Sequence, residues 1–457
     1  NIDKTIKKEH SSINTIDEII SYGVKKKILH LTTKDKKLMG NALLLNINGR
    51  EKQVVNFGSC SYLGLEFDPR LKSAAQEAIE NYGTQFSASR AYISTGYYAE
   101  LEELFNQLFG GFTVVAPTTT LAHISAIPVL VEDTDAIILD HQVHHSVQTA
   151  INIVKTKGVH TELIRHNKID ILEGRIQVLR QKHKRIWYMA DGIYSMYGDQ
   201  APVSEIFELM NKYPELHFYV DDAHGMSCFG KNGRGYVLSE GHIRENMVLV
   251  TSLAKGFATG GGVIVFPTKE LARKIRTCGG PLITSGPLQP ANLGAGISSA
   301  KIHLSDEIYS LQDHLNENIK FANLMIKKSG LPLIAESDSP VFFIGLGLPK
   351  IGYKLVKRML TEGHYLNLGI FPAVPIKNTG IRFTITKLHS FKQIEKMVDT
   401  MSYHFNEVLR EEGFSIDKIY HTFRIPAPTE QKFEHILVSG KKSESLQIQH
   451  TKTIFEI

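Results

Sequence analysis

The sequence predicts an α/β protein: a large domain built on a mixed, mostly parallel sheet, followed by a smaller C-terminal α+β domain. Three observations carry that prediction. Between residues 56 and 299, short β-rich runs alternate with amphipathic stretches at helical spacing, the pattern of strands joined by crossover helices. Most of those runs end in polar or glycine-containing sequence, where open α/β sheets place their ligand sites. From about residue 300 to 405 the pattern changes to helix, strand, helix, strand, helix.

The strands of the large domain are legible at Ala136–Leu139, Arg185–Met189, Phe218–Val220, Met247–Val250 and Gly262–Phe266. Ahead of them, residues 1–55 read as a separate N-terminal element in which Ile16, Ile19, Ile20, Val24 and Ile28 recur at helical spacing. Residues 406–457 are polar and lysine-containing, are broken by Pro426 and Pro428, and read as a peripheral extension. With 457 residues, 42% hydrophobic and 22% charged, the chain can bury a large core and is not a disordered one. No apolar run reaches the length of a membrane span, and no secretory signal is visible at Asn1–Lys4. Cys60, Cys228 and Cys278 are an odd number at patternless spacing, which fits neither a disulfide framework nor a metal site and points to a reducing, cytoplasmic compartment. The formal charge of +5 is small. Lysines cluster at Lys7-Lys8, Lys25-Lys26-Lys27 and Lys36-Lys37 without alternating aromatics, so they read as a solvated face rather than a nucleic-acid site. A lesser reading has some of them steer an anionic substrate such as a coenzyme A ester.

The strongest chemical signal is Ser252-Leu253-Ala254-Lys255-Gly256-Phe257-Ala258-Thr259-Gly260-Gly261-Gly262. Small residues around a lysine let a flat cofactor approach, and a poorly solvated lysine between two strands has the lowered pKa that a Schiff-base nucleophile needs. Lysines are common, so taken alone a surface lysine in a hairpin is the better explanation of the segment. Upstream, His217-Phe218-Tyr219-Val220 runs into Asp221-Asp222-Ala223-His224-Gly225, which sets a carboxylate at the end of a strand, where it can pair with a pyridine nitrogen. The plain alternatives are a turn or N-cap aspartate and a satisfied core histidine. Thr118-Thr119-Thr120 opens an apolar helical stretch and suits a phosphate dianion, or is simply a threonine-rich cap.

Together these motifs resemble the α-oxoamine synthases, a branch of the fold-type I pyridoxal-phosphate (PLP) transferases. The resemblance runs from about Asn56 to about His404. It rests also on Asn56-Phe57-Gly58-Ser59-Cys60-Ser61-Tyr62-Leu63-Gly64-Leu65, on Ser94-Thr95-Gly96 with Leu101-Glu102, and on Asp191-Gly192-Ile193-Tyr194-Ser195-Met196-Tyr197-Gly198-Asp199. Phe229-Gly230, Gly233-Arg234-Gly235 and Ile381-Arg382-Phe383-Thr384 follow in the family's order. The resemblance implies that Lys255 holds PLP and moves the α-proton, that Asp221 pairs with the pyridine nitrogen, and that His224 and Ser195 act near the phenolic oxygen. It places His144 on the ring face, with His141 and His145 close enough for a slip of register. Ser252, Thr118 and Thr119 are implied at the phosphate. Thr284-Ser285-Gly286-Pro287 resembles the loop through which a second subunit reaches the phosphate, which implies a homodimer with shared sites. Arg382 is implied as the grip on the substrate carboxylate, with Cys60 and Ser61 on the substrate side. Two departures stand out: Cys60 replaces a frequent asparagine, and Tyr97-Tyr98 occupies a region where relatives often carry a histidine. Both are expected on the substrate side.

The implied reaction is the decarboxylative condensation of an amino acid with an acyl thioester, on coenzyme A or a carrier protein, to an α-amino ketone, CO2 and free thiol. The rivals are an aminotransferase of the same fold type and a catalytically silent binding or regulatory protein.

Overall fold

Alternate residues of five central strands pack into two different apolar layers in the computed structural model, which describes residues 11–38 and 40–426. Among them the strands are β1 (Ala42–Ile47), β2 (Arg50–Asn56), β3 (Phe112–Ala116), β4 (Ala136–Asp140), β5 (His160–Ile164), β6 (Ile186–Asp191), β7 (Leu216–Asp221), β8 (Met247–Ser252), β9 (Gly262–Phe266), β10 (Val341–Gly347), β11 (His364–Tyr365), β12 (Asn367–Gly369) and β13 (Thr379–Thr384). The main sheet has the order β3-β9-β8-β7-β6-β4-β5, and β9 alone runs against the others. Ile138, Tyr188, Phe218, Leu249 and Val265 enter one layer. Ile137, Trp187, Tyr219, Val250 and Ile264 enter the other. Strands covered on both faces read as nearly continuous apolar runs, which is why the central ones are legible. The two that sequence reading passes over, β3 and β5, are the sheet's two edges, and β5 carries Leu163 at 65% exposure.

The antiparallel sheet β10-β13-β12 lies beneath the helices Glu307–Ser329, Pro349–Glu362 and Phe391–Glu411. Phe342, Ile344, Ile381 and Phe383 form its core with Met397 and Met401. Each such side chain, fully buried, contributes roughly 1.5–3 kcal/mol. The hairpin β1–β2 is joined by β11, with Val55 opposite His364 and Asn56 opposite Tyr365.

The expected segment boundaries fall inside elements. The division at 55/56 cuts β2, that at 299/300 cuts the helix Pro290–His303, and that at 405/406 cuts the helix Phe391–Glu411. The reason is continuity of the apolar stripe: Val408 and Leu409 are buried beyond residue 405, and Ile419 of the next helix, Ile416–Phe423, is fully buried. Residues 406–426 therefore belong to the core of the second unit rather than to a peripheral extension. Residues 1–10 and 427–457, with Lys7, Lys8 and Pro428, lie outside the described residues. The N-terminal helix spans Ser11–Lys25, and Tyr353 donates to the Ile19 carbonyl at 3.0 Å. Ile16, Ile19 and Ile20 are half-buried along it, whereas Val24 is exposed. Among the described residues no helix is long and apolar enough to cross a membrane.

Replacing a fully buried isoleucine by alanine costs about 2–5 kcal/mol. Ile419→Ala should therefore lower the unfolding free energy by that amount, read as a fall in the urea midpoint, and an unchanged midpoint would show that the segment after residue 411 is not part of the core.

Candidate active site

The C-terminal ends of β4, β6, β7 and β8 bring Asp140, Asp191, Asp221 and Ser252 to one rim of the main sheet, with Asp191 directly opposite Asp221. Asp221 is buried. One of its oxygens accepts from the Ala223 N–H at 3.0 Å, and the other lies 2.9 Å from His123 Nε2. His123 Nδ1 lies in turn 2.8 Å from the Tyr219 hydroxyl. Burial on its own would raise the Asp221 carboxyl, but the hydrogen bond and charge of His123, with His144 and Lys255 beyond, bring it down to about 2. The adjacent Asp222 meets the opposite fate. Its carboxylate sits in a niche where added Cβ atoms at Gly192, Gly225 and Gly235 would lie 2.2–2.5 Å from its oxygens. It accepts from the Val237 N–H, and burial raises it to about 8. The two neighbours are thus separated in role: Asp221 is a fixed anion in the site, and Asp222 is a carboxyl packed among glycines.

Lys255 lies on the connection between β8 and β9, and its ammonium group makes no hydrogen bond or ion pair among the described residues. Burial lowers its pKa despite the opposing pull of Asp221. His224 Nδ1 is 2.6 Å from the hydroxyl of the fully buried Tyr62. Burial, then the charges of Lys255 and Arg382, hold the imidazole neutral, and burial keeps the Tyr62 phenol protonated. Tyr62 is then the donor, so the His224 proton resides on Nε2.

His144 caps the helix His145–Lys155: its Nδ1 accepts from Ser146 at 2.6 Å, again leaving the proton on Nε2. Its backbone N–H donates to Asp191 at 3.0 Å. The ring keeps a solvent-facing side yet is desolvated enough to lower its pKa, with Asp221 and Lys255 among the charges it feels. The neighbouring histidines differ. His141 accepts from the His166 N–H, and His145 is an exposed first-turn residue.

Thr118 caps the helix Thr119–Leu130 by accepting from the Leu121 N–H at 3.1 Å. A Cβ at Gly262 would lie 2.8 Å from the Thr119 nitrogen, so only glycine lets β9 pass this close to the helix start. Ser252 ends β8 and accepts from the Ala254 N–H. Arg382 lies on β13, is 9% exposed, donates through Nε to the Ser195 carbonyl at 2.7 Å, and reaches Cys60 Sγ at 3.8 Å. Cys60, Ser195 and Arg382 are therefore brought together. Ser61 is engaged elsewhere, its hydroxyl donating to the Glu66 carboxylate. Ser285 donates to the Pro281 carbonyl at 2.5 Å, within its own helix end.

Tyr97 and Tyr98, expected on the substrate side, serve the scaffold instead. The Tyr98 hydroxyl accepts from the Leu288 N–H at 2.7 Å, its ring lies under Arg90, and Tyr97 accepts from Asn81. Both side chains point back into the packing of the helix Gly96–Phe109, where ring burial outweighs any gain from facing a cleft. Sequence reading missed His123, Tyr62 and Asp191 as members of the site. His123 did leave a signal: it is the one ionisable residue in a mostly apolar helix.

The residues present suit PLP. A fixed carboxylate, an unpaired desolvated lysine, a neutral histidine donor and a capped helix start answer the pyridine nitrogen, aldehyde, phenolic oxygen and phosphate in turn. The comparisons agree. The chain matches the aminotransferase class I and II family over residues 52–401. It is 33% identical over 360 residues to the 8-amino-7-oxononanoate synthase of Fervidobacterium nodosum, covering 77% of this chain and 88% of that one. It is 28% identical over 358 residues to the serine palmitoyltransferase of Sphingobacterium spiritivorum, covering 77% and 86%. A solved serine palmitoyltransferase from S. paucimobilis has the same fold, with a TM-score of 0.80 at 22% identity over 88% of this chain and 99% of that one. The chain belongs to the aminotransferase class I and II family and, within it, to the PLP-dependent α-oxoamine synthases, which are acyltransferases.

Proposed function

We propose that this enzyme condenses an amino acid with an acyl thioester, releasing CO2 and free thiol and leaving an α-amino ketone. The observation that supports the amino-acid half is Arg382. A guanidinium this buried is costly unless an anion meets it, and among the described residues no carboxylate lies within ion-pair distance. Ser195 takes Nε, and one terminal nitrogen has only the weak acceptor Cys60 Sγ at 3.8 Å, so the terminal nitrogens remain for a substrate carboxylate in a two-point grip.

PLP, when bound, supplies a covalent anchor for the amino nitrogen and an acceptor for the electron pair left at Cα. The chain does the rest. Asp221, held ionised by His123, keeps the cofactor nitrogen protonated. Lys255 removes the α-proton and returns it at the end of the cycle. Arg382 holds the carboxylate until it leaves as CO2. His144, protonated on Nε2, is placed to polarise the incoming acyl carbonyl. Thr118, Thr119 and Ser252 take the phosphate, His224 and Ser195 tune the phenolic oxygen, and Cys60 with Ser61 borders the amino-acid side chain. Ser285 completes the phosphate site of a second copy in a homodimer. The cysteines fit a reducing cytoplasm, since all three are free. A relative named serine palmitoyltransferase makes a palmitoyl thioester, such as the coenzyme A ester, the first acyl donor to try.

Arg382→Ala should weaken amino-acid binding by roughly 2–5 kcal/mol, the cost of stranding one partner of such a pair. In a spectral titration the half-point should move to much higher amino-acid concentration while the resting PLP spectrum is retained. Loss of the resting spectrum with unchanged amino-acid affinity would make Arg382 structural.

Asp221→Asn should abolish most turnover with the fold intact, because an amide cannot hold the ring nitrogen protonated. Near-normal rates with an unaltered circular dichroism spectrum would remove Asp221 from the mechanism.

A further inference from the structure

His166 stands outside the cofactor cradle, yet both of its ring nitrogens are committed. Nδ1 lies 2.9 Å from Asp140 at the end of β4, and Nε2 contacts the Asp199 carboxylate. Asp140 also accepts from the Gln142 and Asn167 N–H groups, and Asn167 reaches the Gln200 carbonyl at 3.0 Å. Two carboxylates on two nitrogens require both to be N–H donors, so the ring is an imidazolium with no lone pair left for a metal ion. The Tyr194 ring stands edge-on to it at 4.3 Å.

The two carboxylates belong to different parts of the site. Asp140 starts the turn that carries His144 four residues on, and its carbonyl accepts from Val143. Asp199 closes the loop 192–200, which is pinched by the bridge between Ile193 and Gln200 and by the Tyr194 N–H donating to the Asp199 carbonyl. At the middle of that loop, the Ser195 carbonyl receives Arg382.

We infer that His166 is a positioning residue: it clamps the Ser195 loop to the His144 turn and thereby fixes where Arg382 presents its guanidinium to the substrate carboxylate. The clamp rests on geometry alone; its link to substrate rests on the proposed function. Among the described residues His166 makes no hydrogen bond or ion pair with Lys255, Asp221, His224 or Arg382. Burial opposes its protonation, but Asp140 and Asp199 outweigh burial and raise it to about 9. The other titratable groups facing it are His141 and Tyr194, and burial pushes the Tyr194 phenol well above its ordinary range. Because the folded value lies above the ordinary histidine value, the clamp is complete below about pH 6.5 and is lost as pH rises through about 9.

The test uses the full chain with and without bound PLP. In His166→Gln, amide exchange of residues 192–200, corrected for intrinsic rates, should rise at least ten-fold at pH 7.5. The half-saturating amino-acid concentration should rise about ten-fold with the resting cofactor spectrum unchanged. Wild-type protein should reproduce both changes between pH 7.5 and 10, and His166→Gln should be flat across that range. Asp199→Asn, which keeps the shape but removes one charge, should move the wild-type transition to lower pH. Unchanged exchange of 192–200 in His166→Gln, or an alkaline transition that survives in it, would overturn the clamp. If no amino acid perturbs the wild-type spectrum, the functional reading fails, while the exchange of the PLP-free protein still decides for or against His166.

Discussion

The site depends on keeping one carboxylate charged where a carboxylate would rather be neutral. Asp221 is buried at the end of a central strand, and the desolvation that acts on it also raises Asp191 and Asp222. Of these three, Asp221 is the one with an imidazole on one oxygen and a backbone N–H on the other. That difference of partners sets it apart from its neighbours in sequence and across the sheet. His123, backed by Tyr219, is therefore what keeps the Asp221 carboxylate charged, although it is the one ionisable residue of a mostly apolar helix.

A second constraint follows from where Arg382 is made. It lies on the small antiparallel sheet, whereas the carbonyl that holds it, that of Ser195, belongs to a loop of the main sheet. The two units meet closely beside this contact. Gly198 has a φ of +75°, and a Cβ there would lie 2.1 Å from the Val341 carbonyl oxygen, so no other residue fits the crossing. Ser337 adds a hydrogen bond to the Gly198 carbonyl at 2.8 Å. The Arg382 guanidinium is thus placed by a loop that is held from both sides, by β10 and by the His166 ion pairs.

Much of this was legible in the sequence because it is carried by local pattern. The central strands announce themselves by being covered on both faces, and Lys255, Asp221 and Arg382 sit in motifs with several distinctive neighbours. What escaped is pairwise and distant. His123 and Asp221 are 98 positions apart, Tyr62 and His224 are 162 apart, and no local pattern encodes either contact. The edge strand β5 escaped because it is incompletely covered, whereas β3, buried from Thr113 to Ala116, escaped as a five-residue run that leads directly into the Thr118 cap. The segment boundaries were misplaced where polar surface residues, as around Glu411 and Glu412, masked buried positions such as Val408 and Ile419. Tyr97 and Tyr98 were assigned to the substrate because of where they fall in the motif, while their packing is decided by Arg90, Asn81 and Leu288.

The most direct measurement is the stoichiometry of a single turnover with carboxyl-labelled amino acids and acyl-coenzyme A esters of graded chain length. With the productive pair, one labelled CO2 and one free thiol should appear for each amino acid consumed, and no keto acid should form. A keto acid appearing in place of CO2, with the thioester intact, would contradict the condensation and make the enzyme an aminotransferase.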